Sequence, residues 1–434
     1  MTHNGFPVTP LVNGVRALTA PRAGDTMCVM LFVTAGSRFE SRANSGAAHM
    51  LEHLFFSGTA RRPSLRMIAA EIDSWGCRFN ALTDKEYTAY YIHGAAGNVE
   101  AALELIADLM HNAVLPPDDI ERERKVIFAE LRSRQDNLRQ ISRQLANRAL
   151  YGDEPMGWET VGFVDVLSTL DRDQLMAFRH ALYRGSRMIV SVAGPTPHDR
   201  LATLTERHFG TVPAAPDGPA VPAPASYAAP VNVSVPRDSR LAHLWLVGPG
   251  PTYADPEREM MAVRLMNAVF GSSMSSRLFT SVREDQGLCY SIRSTLDPCS
   301  DVGAFLVATA VAPDKAPQLV SSVTDEMARP AAGGPTDAEL AKARAIVKGT
   351  SALDREDAAA LARFSAFELM HRGFVRTRAE RDDLADSVTR DEVVEATRRY
   401  LDPAGLRCAV AGPAEVVPRL VDAGCLVSPQ WTEG

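Results

Sequence analysis

A short string of residues recurs half a chain apart, and it narrows the folds open to this sequence. Arg172-Asp173 returns as Arg390-Asp391, and Val192-Ala193-Gly194-Pro195 returns as Val410-Ala411-Gly412-Pro413, both at an offset of 218 residues. In each half the string falls in the same order of helix, strand and Ala-Gly-Pro turn. Before it, both halves read as strand, helix, helix, two strands, helix, long helix. Between the copies, Thr211 to Pro230 holds Pro213, Pro216, Pro219, Pro222, Pro224 and Pro230 among many alanines. Proline fixes the backbone and removes donors, so this stretch reads as a stiff, extended linker. A chain of 434 residues is also too long for one ordinary core. We therefore expect an N-terminal domain over 1–212, a linker over 213–230 and a homologous C-terminal domain over 231–434.

Within the first half, Val15 to Ala20 and Met27 to Thr34 read as strands rich in Val, Leu and Phe. Ser64 to Trp75 reads as a helix capped by Ser64 and ended by Gly76. Cys77 to Leu82 and Tyr87 to His93 read as paired strands, and Asn98 to Asn112 as a helix capped by Asn98. After Pro116-Pro117 a charged helix is expected from Asp118 to Leu150, and Met188 to Ala193 is expected as a strand.

The chemistry lies in one of these elements. Gly46 to Thr59 reads as a helix closing at Gly58, with apolar bulk from Ala48, Met50, Leu51, Leu54 and Phe55. His49 and His53 are one turn apart on its face, so both imidazoles can reach one metal ion. Glu52 lies beside them and can take a proton from water whose pKa zinc has lowered. The pattern is His-x-x-Glu-His, the reverse order of the commoner His-Glu-x-x-His. Two histidines leave such a site one protein ligand short. Glu123 and Glu130, two turns apart on the long helix, share a face and are candidates. Periodicity alone also allows both to be ordinary solvated carboxylates. The counterpart of the His49 helix, around Met261 to Gly271, has no His and no Glu. One copy therefore reads as catalytic and the other as supportive.

The chain resembles the pitrilysin/insulinase family of zinc peptidases, which includes the mitochondrial processing peptidase. That family's signature is His-x-x-Glu-His, then 76 residues, then Glu. Here 76 residues separate His53 from Glu130. The resemblance implies zinc held by His49, His53 and Glu130, with Glu52 as general base. Glu123, seven residues before the third ligand, matches the family's second acid. Gly76, Asn80, Ala81, Thr83, Thr88 and Tyr90 match the family hairpin whose edge strand pairs with an extended peptide, so Asn80 and Ala81 are substrate-binding candidates. In the second half, Arg283 and Tyr290 fit the family's Arg-x-x-x-Gly-Leu-x-Tyr segment, and the resemblance implies that they hold substrate carbonyls and the oxyanion. For Arg283 a surface ion pair with Glu284 or Asp285 is the competing reading, and for Tyr290 strand packing. Arg277 reads as a structural residue at a helix start. The implied fold is two homologous α+β domains, each a mostly antiparallel sheet with helices mainly on one face. The mixed order of strands and helices agrees with this.

The implied function is a zinc metalloendopeptidase acting on short or unfolded peptides within a closed chamber, including a dedicated precursor or leader peptide. The chamber implies two chains, as a homodimer or with a paralogous subunit. A non-catalytic, peptide-binding scaffold is the alternative from another class. A nucleotide enzyme finds no support, since there is neither G-x-G-x-x-G nor G-x-x-x-x-G-K-[ST]. Net charge is −7, which gives no electrostatic reason to expect nucleic acid or an anionic membrane. The six cysteines are scattered, without Cys-x-x-Cys, and no apolar run near the N-terminus suggests a secretory signal. Both observations lead us to expect a cytoplasmic protein.

Overall fold

Apolar strands of two kinds build the molecule: strands buried on both faces at the centre of a sheet, and half-buried strands at its margins. The computed structural model describes residues 2–3, 5–214, 226–229, 231–329, 334–353 and 355–424. Pro216, Pro219, Pro222, Pro224 and Pro230 of the expected linker, and Cys425, lie outside the described residues.

In chain order, the first half runs β1 (Thr2–His3), β2 (Phe6–Pro10), β3 (Arg16–Pro21), β4 (Thr26–Val33), α1 (Ala47–Phe55), α2 (Leu65–Ser74), β5 (Arg78–Thr83) and β6 (Thr88–Ala95). It continues with α3 (Val99–Asn112), α4 (Pro117–Gln135), α5 (Leu138–Tyr151), α6 (Val164–Leu167), α7 (Arg172–Leu182), β7 (Met188–Gly194) and α8 (His198–Phe209). The second half runs β8 (Val233–Pro236), β9 (Ala242–Pro249), α9 (Glu257–Phe270), β10 (Cys289–Pro298), β11 (Gly303–Val311) and α10 (Ala316–Ala328). After these come α11 (Asp337–Leu353), α12 (Ala358–Arg372), α13 (Arg378–Ser387), α14 (Arg390–Tyr400), β12 (Arg407–Gly412) and α15 (Val416–Asp422).

The first sheet has the order β1-β2-β3-β7-β4-β6-β5 and the second β10-β11-β9-β12-β8. In the first, only the β3–β7 pair among the described pairings is parallel, and in the second only β12–β8. The order β3-β7-β4-β6-β5 maps strand for strand onto β8-β12-β9-β11-β10. The repeated strings lie at the start of α7 and α14 and at the ends of β7 and β12. The duplication read from the sequence is thus present in the topology. β4 sits between β7 and β6 and is buried on both faces from Met27 to Val33, which accounts for its unbroken apolar run.

Two compact units result, and they do not follow the linear halves. The first comprises Met1–Leu131, Glu159–Ala223 and Ala352–Arg378, and the second Arg132–Trp158, Pro224–Ser351 and Ala379–Gly434. A cut at 212/231 assigns α5 to the first domain and α12 to the second, whereas each packs in the opposite unit. On the first sheet, Val29 and Leu31 join the core beneath α1 and α3. Met30, Phe32 and Ile189, on the other face, pack against Leu361, Ala366 and Leu369 of α12. The Ser191 hydroxyl donates to the Ala362 carbonyl at 3.0 Å. On the second sheet, Trp245, Leu306 and Ala409 pack against Leu145 and Ala149 of α5, and Trp245 Nε1–H donates to Ser142 Oγ at 3.0 Å.

The local structure differs from the expectation in three places. The single helix expected over 118–150 is two helices, because the Asn137 side chain accepts from the Arg139 and Gln140 N–H groups (3.1 and 3.3 Å) and starts α5 afresh. Asn98 holds the N-cap position of α3 as expected, but its side chain makes no capping bond; its amide donates instead to the Trp75 carbonyl at 3.0 Å. The helix carrying His49 ends at Phe55 rather than reaching Gly58, and Gly58, at φ 140°, lies in the loop beyond it. Ser64 caps α2 as expected, accepting from Met67 N–H at 3.3 Å.

Candidate metal centre

Helix α1 is held by its apolar side. Ala47, Ala48, Met50, Leu51, Leu54 and Phe55 are buried, and Phe55 stacks on the buried Tyr90 ring of β6 at 3.6 Å between centroids. That orientation turns His49, Glu52 and His53 together. The His49 and His53 rings lie 4.7 Å apart, edge to face. Beyond α1 the chain is anchored by Arg62, a residue that the sequence did not single out. Its guanidinium donates to Glu71 (2.7 and 2.9 Å), Glu104 (2.7 Å) and Asp108 (2.7 Å), and Thr59 donates to Asp108 at 2.9 Å. These bonds fix the exit of α1. The sequence signal for this was only an Arg among Gly, Thr and Pro after an apolar helix.

Helix α4 supplies the carboxylates. Ile120, Ile127 and Leu131 bury one side of it, and Arg124 ties it down by donating to the Leu170 carbonyl at 2.9 Å. The flank beside that buried side then presents Glu123 and Glu130 to α1. Glu130 Oε2 is 3.6 Å from His49 Nε2 and 3.7 Å from His53 Nε2. The ligand atoms of all three residues lie within 4.8 Å of one another, the one such set among the described residues. Donors on a tetrahedral zinc ion stand roughly 3.4 Å apart, and the two Glu130–histidine separations come close to that. Glu123 meets the back of the His53 ring, with 3.3 Å between its oxygen and Nδ1. A proton on Nδ1 donated there leaves Nε2 turned to Glu130.

The electrostatics agree. Burial pulls the His53 pKa down, but hydrogen bonding to Glu123 and Glu130 and the charge of Glu52 outweigh it and bring it to about 9. Hydrogen bonding to His53 outweighs burial at Glu123, whose carboxyl is held below its ordinary range. Three acidic side chains around two imidazoles concentrate negative charge, and a dication is the natural counterion.

The remaining candidates sit as follows. Asn80 is exposed and Ala81 half-buried on β5, the last strand of the first sheet, and the Asn80 side chain accepts from the Ala81 N–H at 2.9 Å. Arg283 and Tyr290 belong to the second unit. Arg283 lies in a π-helical turn (Phe279–Asp285), pairs with Glu284 at 2.6 Å, and stands over the Phe279 and Tyr290 rings. The surface ion pair weighed for Arg283 is thus present, whereas Tyr290 is 86% exposed and is not strand packing. Arg277 has the structural role expected of it, donating to Glu339 at 2.6 and 2.8 Å and to the Gly334 carbonyl at 3.0 Å.

The fold is two copies of one α+β unit, a seven-stranded and a five-stranded sheet, the first carrying two histidines and a glutamate whose ligand atoms converge. A family model described as "Insulinase (Peptidase family M16)" matches residues 17–162, and one described as "Peptidase M16 inactive domain" matches 169–347. An uncharacterized zinc protease of Mycobacterium tuberculosis is 33% identical over 413 residues, covering 93% of this chain and 92% of the relative. An uncharacterized zinc protease of Bacillus subtilis is 29% identical over 345 residues, with 79% and 83% covered. In structure, a protease from Helicobacter pylori superposes with a TM-score of 0.83 at 22% identity, over 94% of this chain and 99% of that one. A Pseudomonas fluorescens protein described as a peptidase M16 inactive domain gives 0.82 at 20%, over 95% and 99%. The chain belongs to the insulinase family of peptidases, whose relatives here are named zinc proteases.

Proposed function

We propose that this chain is a zinc-dependent endopeptidase cleaving short or unfolded peptides. One observation carries the reading: the ligand atoms of His49, His53 and Glu130 converge, with Glu52 beside them on the same helix. A zinc ion held there supplies a Lewis acid for the scissile carbonyl and lowers the pKa of water. Glu52 takes a proton from the attacking water and returns it to the leaving amine nitrogen. Glu123 holds the His53 ring by Nδ1. The outer edge of β5, with Asn80 and Ala81, offers main-chain groups to an extended peptide, which selects for backbone more than for side chains. We assign Arg283 and Tyr290 to the substrate carbonyl and the developing oxyanion. The exposed Tyr290 phenol is free to reach substrate, while Arg283 must exchange its Glu284 partner for it.

We further propose that two chains enclose the substrate, as a homodimer or with a paralogous subunit, in the cytoplasm. The five described cysteines are free thiols, which suits a reducing compartment. Among the described residues no helix is long and apolar enough to cross a membrane. Both general peptide degradation and maturation of a precursor or leader peptide suit an enzyme that reads backbone.

A second reading is favoured by the description of the model matching 169–347 as an inactive domain: the chain then needs a paralogue for activity, or binds peptide without cutting it. The test is metal content, particle mass and cleavage of an internally quenched peptide by the purified chain, with Glu52→Gln as control. Chelator-sensitive cleavage by the chain alone supports the first reading. Bound zinc with cleavage only after a paralogue is added supports the second. A folded chain that binds no zinc overturns both catalytic readings.

A further inference from the structure

Helix α1 has no capping side chain of its own. Gly46 holds the N-cap position at φ 93°, and a Cβ there would lie 2.6 Å from the Val161 carbonyl oxygen and 2.7 Å from Leu167 Cδ2. The loop behind it is equally close, since a Cβ on Gly162 would lie 2.5 Å from Gly46 Cα. The Ser, Thr, Asp or Asn that usually caps a helix therefore does not fit. The first N–H groups are met from upstream instead. One oxygen of Glu40 accepts from the Gly46 N–H and the other from the Ala48 N–H, both at 2.8 Å. Glu40 is 5% exposed, so water does not compete for these bonds. Burial pushes the Glu40 carboxyl up to about 8 against the pull of these two N–H donors, so it is the geometry of two acceptor oxygens at the helix N-terminus, more than a full charge, that holds the turn. Ala48 is the residue immediately before His49.

We propose that Glu40 is a positioning residue for the metal centre: its side chain, bridging the Gly46 and Ala48 amides, fixes the first turn of α1 and thereby holds His49 at the separation from Glu130 that a shared zinc ion requires. The inference rests on the zinc reading above. Helix α1 spans only nine residues, so a frayed first turn reaches His49 directly. Both Glu40 hydrogen bonds go to the backbone of α1, so its effect passes through the backbone.

The test compares the parent chain, Glu40→Gln and, as a control, Ser142→Ala, which removes the Trp245 hydrogen bond in the other unit. Zinc dissociation constants are measured by competition with a chromophoric chelator well below each variant's Tm, and amide hydrogen exchange is followed in the metal-free full-length protein. Glu40→Gln keeps the side chain's size but turns an NH2 toward one donor. It should weaken zinc on the order of tenfold, the low end for partners outside the ligand set, and speed exchange at Gly46 and Ala48. Ser142→Ala should lower Tm with zinc affinity unchanged. A folded Glu40→Gln with the parent zinc affinity overturns the inference and leaves the zinc reading standing. A parent chain that binds no zinc overturns the zinc reading and this inference with it. If Glu40→Gln does not fold, the parent decides: protection of the Gly46 and Ala48 amides equal to that of the α1 interior supports the cap, and unprotected exchange there overturns it.

Discussion

His53 is held from two sides by one helix: its Nδ1 lies 3.3 Å from Glu123 and its Nε2 lies 3.7 Å from Glu130, both on α4. The two glutamates therefore differ in role although they share a face. Glu123→Gln keeps the contact but loses the charge, and it should weaken zinc binding or turnover by roughly 10–100-fold. Chelator competition and steady-state kinetics on the same preparation check this, and an unchanged variant on both would remove Glu123 from the site.

The ligand set separates from the base in a second experiment. His49→Ala, His53→Ala and Glu130→Gln should each lose bound zinc, because each removes one of three converging donors. Glu52→Gln should retain zinc and lose hydrolysis, since it removes a proton acceptor and no ligand. Metal analysis that finds zinc lost in Glu52→Gln but kept in His49→Ala would reverse the assignment.

Tyr290 is exposed and Arg283 half-exposed, so neither should matter to stability. Tyr290→Phe should lower kcat by roughly 10²–10³-fold, as loss of an oxyanion donor does, with zinc content and Tm unchanged. Arg283→Ala should also raise KM. If both variants turn over peptide at the parent rate, the second unit takes no part in the chemistry.

Exchange of α5 and α12 predicts how the chain divides. A fragment ending at residue 230 lacks α12 and leaves Met30, Phe32 and Ile189 uncovered, so it should aggregate, and co-expression with 231–434 should restore soluble protein. In the full chain, Leu369→Ala on α12 should cost about 2–5 kcal/mol in denaturant unfolding, as buried Leu truncations do. A soluble, cooperatively folded 1–230 fragment would contradict the division.

The pH dependence of stability has a specific source at His371, packed against Phe367 with Glu86 at 3.7 Å. Burial, then the charges of Arg372 and Arg38, lower its pKa to about 3. Its unfolded value is near 6.5, so between pH 6.5 and 3 the unfolded chain binds the extra proton. The His371 contribution is therefore full above pH 6.5 and falls as pH drops toward 3, by at most about 1.4 kcal/mol per unit. His371→Asn should flatten the Tm profile between pH 6.5 and 4. An identical slope in the variant would assign acid sensitivity elsewhere.

The sequence by itself determined what is local or repeats. His49 and His53 share a helix face because four residues make one turn, and Glu123 and Glu130 share one because seven make two. β4 was legible from its apolar run, the Ser64 cap from its position, and the duplication from two strings at one offset. The spacing from His53 to Glu130 carried the third ligand only through family resemblance, since nothing in 76 intervening residues dictates that α4 lies against α1. Tertiary structure alone decided that approach, through Phe55 on Tyr90, Arg124 on Leu170 and the burial of Ile127. It also decided which sheet each exchanged helix covers, because neither helix's sequence names a sheet and either sheet offers an apolar face. Glu40 was invisible for the same reason: a carboxylate in a turn becomes a helix cap only when the fold folds it back onto Gly46 and Ala48, and closes every other way of capping that helix.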